Sequence, residues 1–145
     1  MNGEALKQAR LTKKWTQAQA ARALGVTQAY LSMLENEQRP ASVRFARKAL
    51  KVLDLPPTAL PLSSNVDVSP KHDFAPQLGS LGYPGFAYLP RRKQQNPAEV
   101  LFEALNQADL DSRVAEGLPW LALNYVDMDW DWLCLLYTSP SPRDA

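Results

Sequence analysis

The chain has 145 residues, 46% of them hydrophobic, with a mean hydropathy of −0.33, a formal net charge of +1 and a single cysteine, Cys134. That length suits one domain or two small ones; no apolar run reaches the ~18 residues a membrane helix needs; and one cysteine excludes an internal disulfide and a Cys-rich metal site. The small net charge conceals two opposite regions. Residues 1–55 hold ten Lys/Arg against four Asp/Glu, a charge of +6, and residues 94–133 hold only Arg113 against eight acids, a charge of −7. A basic head suits a polyanion, whereas an acidic region is repelled by one and must face something else.

In chain order, residues 3–13 read as a first helix, with Leu6 and Ala9 on one face and Lys7, Arg10 and Lys14 outward. This start contains no apolar signal core, so the expected compartment is the cytoplasm. Trp15 is expected to plug the core beside Leu6. Thr16 to Asn36, TQAQAARALGVTQAYLSMLEN, holds two short helical patterns around a Gly-Val turn. Thr16 can cap the first and Thr27 the second, because a side-chain oxygen at that position accepts from an otherwise unpaired backbone N–H. Gly25 falls where the chain turns sharply, which suits a residue without Cβ. In the second helix Leu31 and Leu34 share one face, and Gln28, Ala29, Ser32 and Met33 share the other. A short helix that shows polar and small side chains outward, braced by a preceding helix, has the geometry of a DNA recognition helix. Residues 42–54 form a further amphipathic helix, capped by Ser42, with Val43, Ala46, Leu50 and Leu53 at core spacing.

These residues resemble the helix-turn-helix of the Xre family of phage-repressor-like regulators. The resemblance runs from about Leu6 to Leu53. It is carried by Thr16-Gln17, by Ala21, Leu24, Gly25 and Val26 at the turn, by Gln28, Leu31, Leu34-Glu35-Asn36 and by Arg39-Pro40. It implies an all-α fold, with a four- or five-helix DNA-binding head over residues 1–55. It also implies an ion pair between Arg10 and Glu35, joining the first helix to the end of the recognition helix. Two positions depart from the family pattern: Lys14 replaces a glycine and Ala20 replaces a leucine. If the turn still needs a left-handed residue, Lys14 costs about 1 kcal/mol.

The resemblance places DNA contacts at Gln17, Gln28, Ala29 and Met33. Gln28 can bond an adenine bidentately, Ala29 and Met33 can meet a thymine methyl, and Ser32 is adaptable. Tyr30 is expected at the DNA backbone. Thr27 and Gln17, at helix N-termini, suit phosphate oxygens. Asn36 and Arg39, with Arg44, would hold the opposite side of the groove. The implied partner is double-stranded DNA, bound by a homodimer.

Eight of the twelve prolines fall between Leu55 and Pro97. Such density bars a long helix, so residues 56–95 are read as a linker. Tyr83 to Leu89 is too aromatic for a pure spacer and is expected to tuck against a helical part. Arg91-Arg92-Lys93 is read as a solvated cluster. Asn96-Pro97-Ala98-Glu99 is a helix start, with a cap, Pro at the first position and Glu at the third. A second helix is expected from Asp111, broken at Gly117-Leu118-Pro119, where Pro119 opens a third. Asp129 caps a fourth of only one turn, Trp130 to Leu133. This acidic unit, 96–133, looks like a region found downstream of Xre-type heads in bacterial regulators. A toxin bound through it would make the chain an antitoxin that represses its own operon; another protein partner bound through the same unit is the alternative.

Residues 134–144, CLLYTSPSPRD, resemble the translation of a transposase-type sequencing adaptor in one frame. On that reading residues 134–145 are a non-native tail and the second unit is incomplete. Catalysis has little support, because the single histidine, His72, lies in the Pro-rich stretch. Asp127, Asp129 and Asp131 imitate the start of a calcium loop, but position six, which needs glycine, is Trp132, and position twelve is Thr138. No metal, cofactor or enzymatic activity is expected.

Overall fold

A computed structural model describes residues 2–62 and 74–138. The fold is all-α, and the described residues hold helices and short turns without a strand. The chain divides into two compact units, Met1–Leu62 and Ser63–Ala145.

The first unit contains α1 (Gly3–Thr12), α2 (Gln17–Leu24), α3 (Gln28–Glu35) and α4 (Val43–Leu53), closed by a 3-10 turn at Pro57–Ala59. Each helix begins on a side-chain cap. Asn2, Thr16, Thr27 and Ser42 accept from the backbone N–H of Glu4, Gln19, Tyr30 and Phe45 respectively. Leu6, Ala20, Ala21, Leu24, Leu31, Leu34, Phe45, Ala49 and Leu53 form the core, and half-buried Trp15 packs against it. On α4 the buried residues are Phe45, Ala46, Ala49 and Leu53. Val43, expected inside, is 50% exposed. At about 100° per residue the buried residues span roughly 100° centred near Ala49, which leaves half-buried Leu50 about 40° and exposed Val43 about 60° outside that arc.

Lys14 has φ of +58°, the left-handed conformation that a glycine would adopt without strain. Its backbone N–H donates to Leu11 O at 2.9 Å, closing the turn after α1.

The second unit contains α5 (Phe74–Ser80), a 3-10 turn at Pro84–Phe86, α6 (Pro97–Leu105), α7 (Ser112–Asn124) and α8 (Trp130–Thr138). The stretch expected to be a linker is therefore divided. Residues 57–59 close the first unit, residues 63–73 and with them His72 lie outside the described residues, and residues 74–95 are folded into the second unit. Phe74, Leu78, Leu81 and Phe86 are buried there. Tyr83 stacks between Phe86 and Trp120 of α7, with ring centroids 5.6 and 5.3 Å away. Gly117 makes room for this stack, since a Cβ there would stand 3.0 Å from Leu78 Cδ1 and 3.2 Å from Tyr83 Cε1. The basic cluster keeps its side chains exposed while its main chain is pinned. Arg92 N–H donates to Ser80 Oγ at 2.7 Å, and Gln77 Nε2 donates to Lys93 O at 2.9 Å.

Asn96 caps α6 and Asp111 caps α7. Helix α7 does not break at Pro119, which lies inside it. A helical proline removes one bond, to the carbonyl four residues back. That carbonyl belongs to Ala115, an exposed residue, so water can replace the lost donor. Helix α8 also runs past the single turn expected, reaching Thr138. Leu133 is buried and Trp132 meets Phe102 edge-on at 5.9 Å, so neither lacks a packing partner. Of the tail, residues 134–138 continue this helix and 139–145 lie outside the described residues.

Replacing Lys14 by glycine relieves the left-handed strain. We expect Lys14→Gly to raise unfolding stability by about 1 kcal/mol, read by urea or thermal denaturation; a loss of stability would show that the turn does not hold this strain.

Candidate nucleic-acid interface

Helix α3 has only eight residues, too short to persist alone in water. Its position is imposed by its neighbours. Gly25, the left-handed cap of α2 at φ +72°, turns the chain, and Val26 N–H donates back to Ala21 O at 3.0 Å. Thr27 Oγ1 then accepts from Tyr30 N–H at 3.1 Å and fixes where α3 starts. Upstream, Thr16 and Gln19 form a reciprocal capping box at 3.2 and 2.9 Å, which fixes the N-terminus of α2 and half-buried Gln17 beside it.

At about 100° per residue, Gln28, Ser32, Asn36, Ala29 and Met33 fall within roughly 140° of arc, and Leu31, Leu34 and Glu35 fall outside it. The burial follows this division. Leu31, Leu34 and Glu35 are buried, Gln28, Ala29, Met33 and Asn36 are exposed, and Ser32 is half-buried. Asn36 Nδ2 donates to Ser32 Oγ at 3.4 Å, a long bond that leaves both groups able to exchange it for another partner. Thr27 and Arg39 are exposed at the two ends of the stripe. Tyr30 occupies the flank. Its ring meets Phe45 of α4 edge-on at 6.2 Å, so much of the side chain is committed to packing. The structure thus brings Gln28, Ala29, Ser32, Met33 and Asn36 onto one face, with Gln17 and Arg39 on neighbouring elements.

Behind this face, Arg10 and Glu35 meet in a buried, multiply bonded ion pair. Arg10 Nη2 donates to Glu35 Oε1 at 3.0 Å, and Arg10 Nε lies 3.1 Å from Oε2. Arg10 Nη1 also donates to Trp15 O at 2.9 Å. One guanidinium therefore ties α1 to the loop before α2 and to the last turn of α3. Two further contacts at the same junction escape sequence reading. Gly3 N–H donates to Glu37 Oε1 at 3.3 Å. A Cβ on Gly3 would also stand 2.5 Å from Glu35 O and 2.6 Å from Leu34 O, so α1 begins directly on the backbone end of α3. The only local signal was a glycine at the first position of a well-capped helix.

Residues 6–60 match the helix-turn-helix family model. No curated protein and no solved structure matches the chain. The match covers the first unit and supports a DNA-binding transcription regulator. Among the described residues no group of three His, Cys, Asp or Glu side chains could hold a metal ion, and no helix is long and apolar enough to cross a membrane.

Three variants test the bracing of α3. Removing one partner strands a buried charge, so Glu35→Ala is expected to destabilise the first unit by about 3–5 kcal/mol. The double variant Arg10→Met with Glu35→Met should lose less than the sum of the two single changes in the same denaturation assay. Gly3→Ala should cost about 1–3 kcal/mol by forcing α1 away from the α3 carbonyls; wild-type stability for that variant would contradict the close approach.

Proposed function

We propose that the protein is a transcriptional repressor that binds an inverted repeat as a homodimer, with α3 of each copy in the major groove. The observation that carries this reading is the continuous stripe from Gln28 to Asn36, exposed on a helix whose opposite face is anchored in the core. A base-reading helix needs both properties. Its side chains must reach base edges, and its backbone must not shift when they do.

In this reading Gln28 pairs with an adenine through its amide, while Ala29 and Met33 exclude water from thymine methyl groups. Ser32 and Asn36 supply adjustable hydrogen bonds. Thr27 and Gln17 lie at helix N-termini, where free N–H groups and the helix dipole favour a phosphate. Tyr30 flanks the groove, and Arg39 holds the phosphates on its far side. The +6 charge of residues 1–55 supplies sequence-independent attraction. One head spans only a few base pairs, so useful specificity comes from two half-sites about one helical turn apart. Repression follows from occupancy, and the chain acts by binding rather than catalysis.

A second reading concerns residues 96–133, whose acidity is unsuited to DNA and suited to covering a basic protein. An antitoxin that neutralises a toxin through this unit, and represses its own operon through the first, fits both signs of charge. Co-expression with the product of the neighbouring gene tests it; a small basic protein that co-purifies supports it, and none counts against it.

Gln28→Ala is expected to relax preference at one base position by about 1–3 kcal/mol, as read by selection from a randomised DNA library. Binding should also weaken steeply as salt rises from 50 to 200 mM. A selected motif identical to that of the unsubstituted protein would overturn the assignment of Gln28.

A further inference from the structure

We infer that the corner joining α7 to α8 is a docking surface for a cationic protein segment carrying apolar side chains, which rests on reading the second unit as a protein-binding module. Leu123, Val126 and Trp130 are 75%, 66% and 43% exposed within one short stretch. The corner that carries them is firmly built. Buried Met128 anchors it, with its N–H donating to Tyr125 O at 3.0 Å. Trp130 N–H donates to Met128 O at 2.9 Å, and the Trp130 indole N–H donates to Val126 O at 2.9 Å. Asp129 Oδ1 accepts from Trp132 N–H at 2.9 Å, and the Tyr125 hydroxyl donates to Leu81 O at 2.6 Å. Three large apolar side chains are thus held in water on a fixed backbone. An apolar group rimmed by polar residues marks an interaction site, and tryptophan is enriched at the energetic centres of such sites.

The sign of the partner follows from the rim. Asp127, Asp129 and Asp131 are exposed and alternate through the same corner, and residues 114–138 contain no Lys or Arg. The Tyr125 hydroxyl is held above its ordinary range by burial and then by the charge of Asp127, in keeping with a negative local potential. This potential repels DNA and anionic membranes. A second copy docked corner to corner would bring six carboxylates together. A basic protein segment satisfies both parts of the surface, with Lys or Arg facing the aspartates and apolar side chains covering Leu123, Val126 and Trp130.

The test uses the full chain, isotope-labelled for NMR and titrated with a synthetic amphipathic helix of leucine and lysine, beside a leucine–glutamate control peptide. The lysine peptide is expected to move the Trp130 indole resonance and the amides of residues 123–131. The variant Leu123→Ser with Val126→Ser should weaken its binding at least tenfold, with the remaining spectrum and DNA binding unchanged. Both side chains face solvent, so the variant spares the core. Shifts confined to other parts of residues 74–138 would overturn the corner while leaving the protein-binding reading intact; no binding of the lysine peptide would overturn both. Equal binding of the glutamate peptide would also refute the proposal. So would concentration-dependent shifts at the corner without peptide, the mark of a second copy, or a Trp130 indole already shielded in the free protein, the mark of a segment of the same chain.

Discussion

The guanidinium of Arg10 is the point on which the first unit turns. It reaches the Glu35 carboxylate and the Trp15 carbonyl together, and so links α1, the entry to α2 and the end of α3. A buried ion pair is a poor source of net stability, because desolvating both charges offsets most of their attraction. Its value lies in geometry. Apolar contacts at Leu31 and Leu34 tolerate rotation of α3, whereas a charge-assisted contact with several donors does not. Gly3 adds a second constraint, since the absence of a side chain lets α1 rest on the last carbonyls of α3. The face from Gln28 to Asn36 is held from behind by groups that form no part of it.

The second unit uses a different economy of structure. Prolines and glycines that would end ordinary helices here shape short ones. Gly117 admits Tyr83, Pro119 is accommodated where the orphaned carbonyl belongs to an exposed residue, and Ser80 serves as acceptor for the returning chain at Arg92. Aromatic stacking among Phe86, Tyr83, Trp120 and Tyr125 replaces the regular aliphatic seam of a longer bundle.

What could be read from the sequence was what depends on near neighbours. The caps at Thr16, Thr27, Ser42, Asn96 and Asp111 act within three residues, and each begins a helix as expected. The left-handed Lys14 was legible because the family pattern has glycine there. The outward face of α3 followed from helical periodicity alone. The failures share a cause in distant contacts. Proline density led residues 56–95 to be read as a linker, whereas α5 within it is folded by packing against residues of α7 about forty positions away. Val43 fits the period of α4 but not the direction of the core, which Phe45 sets. The Gly3–Glu37 bond spans 34 positions, and nothing near either residue announces it.

The opposite signs of the two regions also govern how the protein behaves in bulk solution. With a net charge of +1 and an isoelectric point near 7.8, molecules at neutral pH have little long-range repulsion to keep them apart. The basic region of one molecule and the acidic region of another attract, and salt shortens the range of that attraction. Such a chain is expected to salt in, with weak, non-specific attraction between copies in dilute buffer that moderate ionic strength screens. The conditions that strengthen contact with a polyanion are therefore the ones in which the free protein is expected to be least soluble.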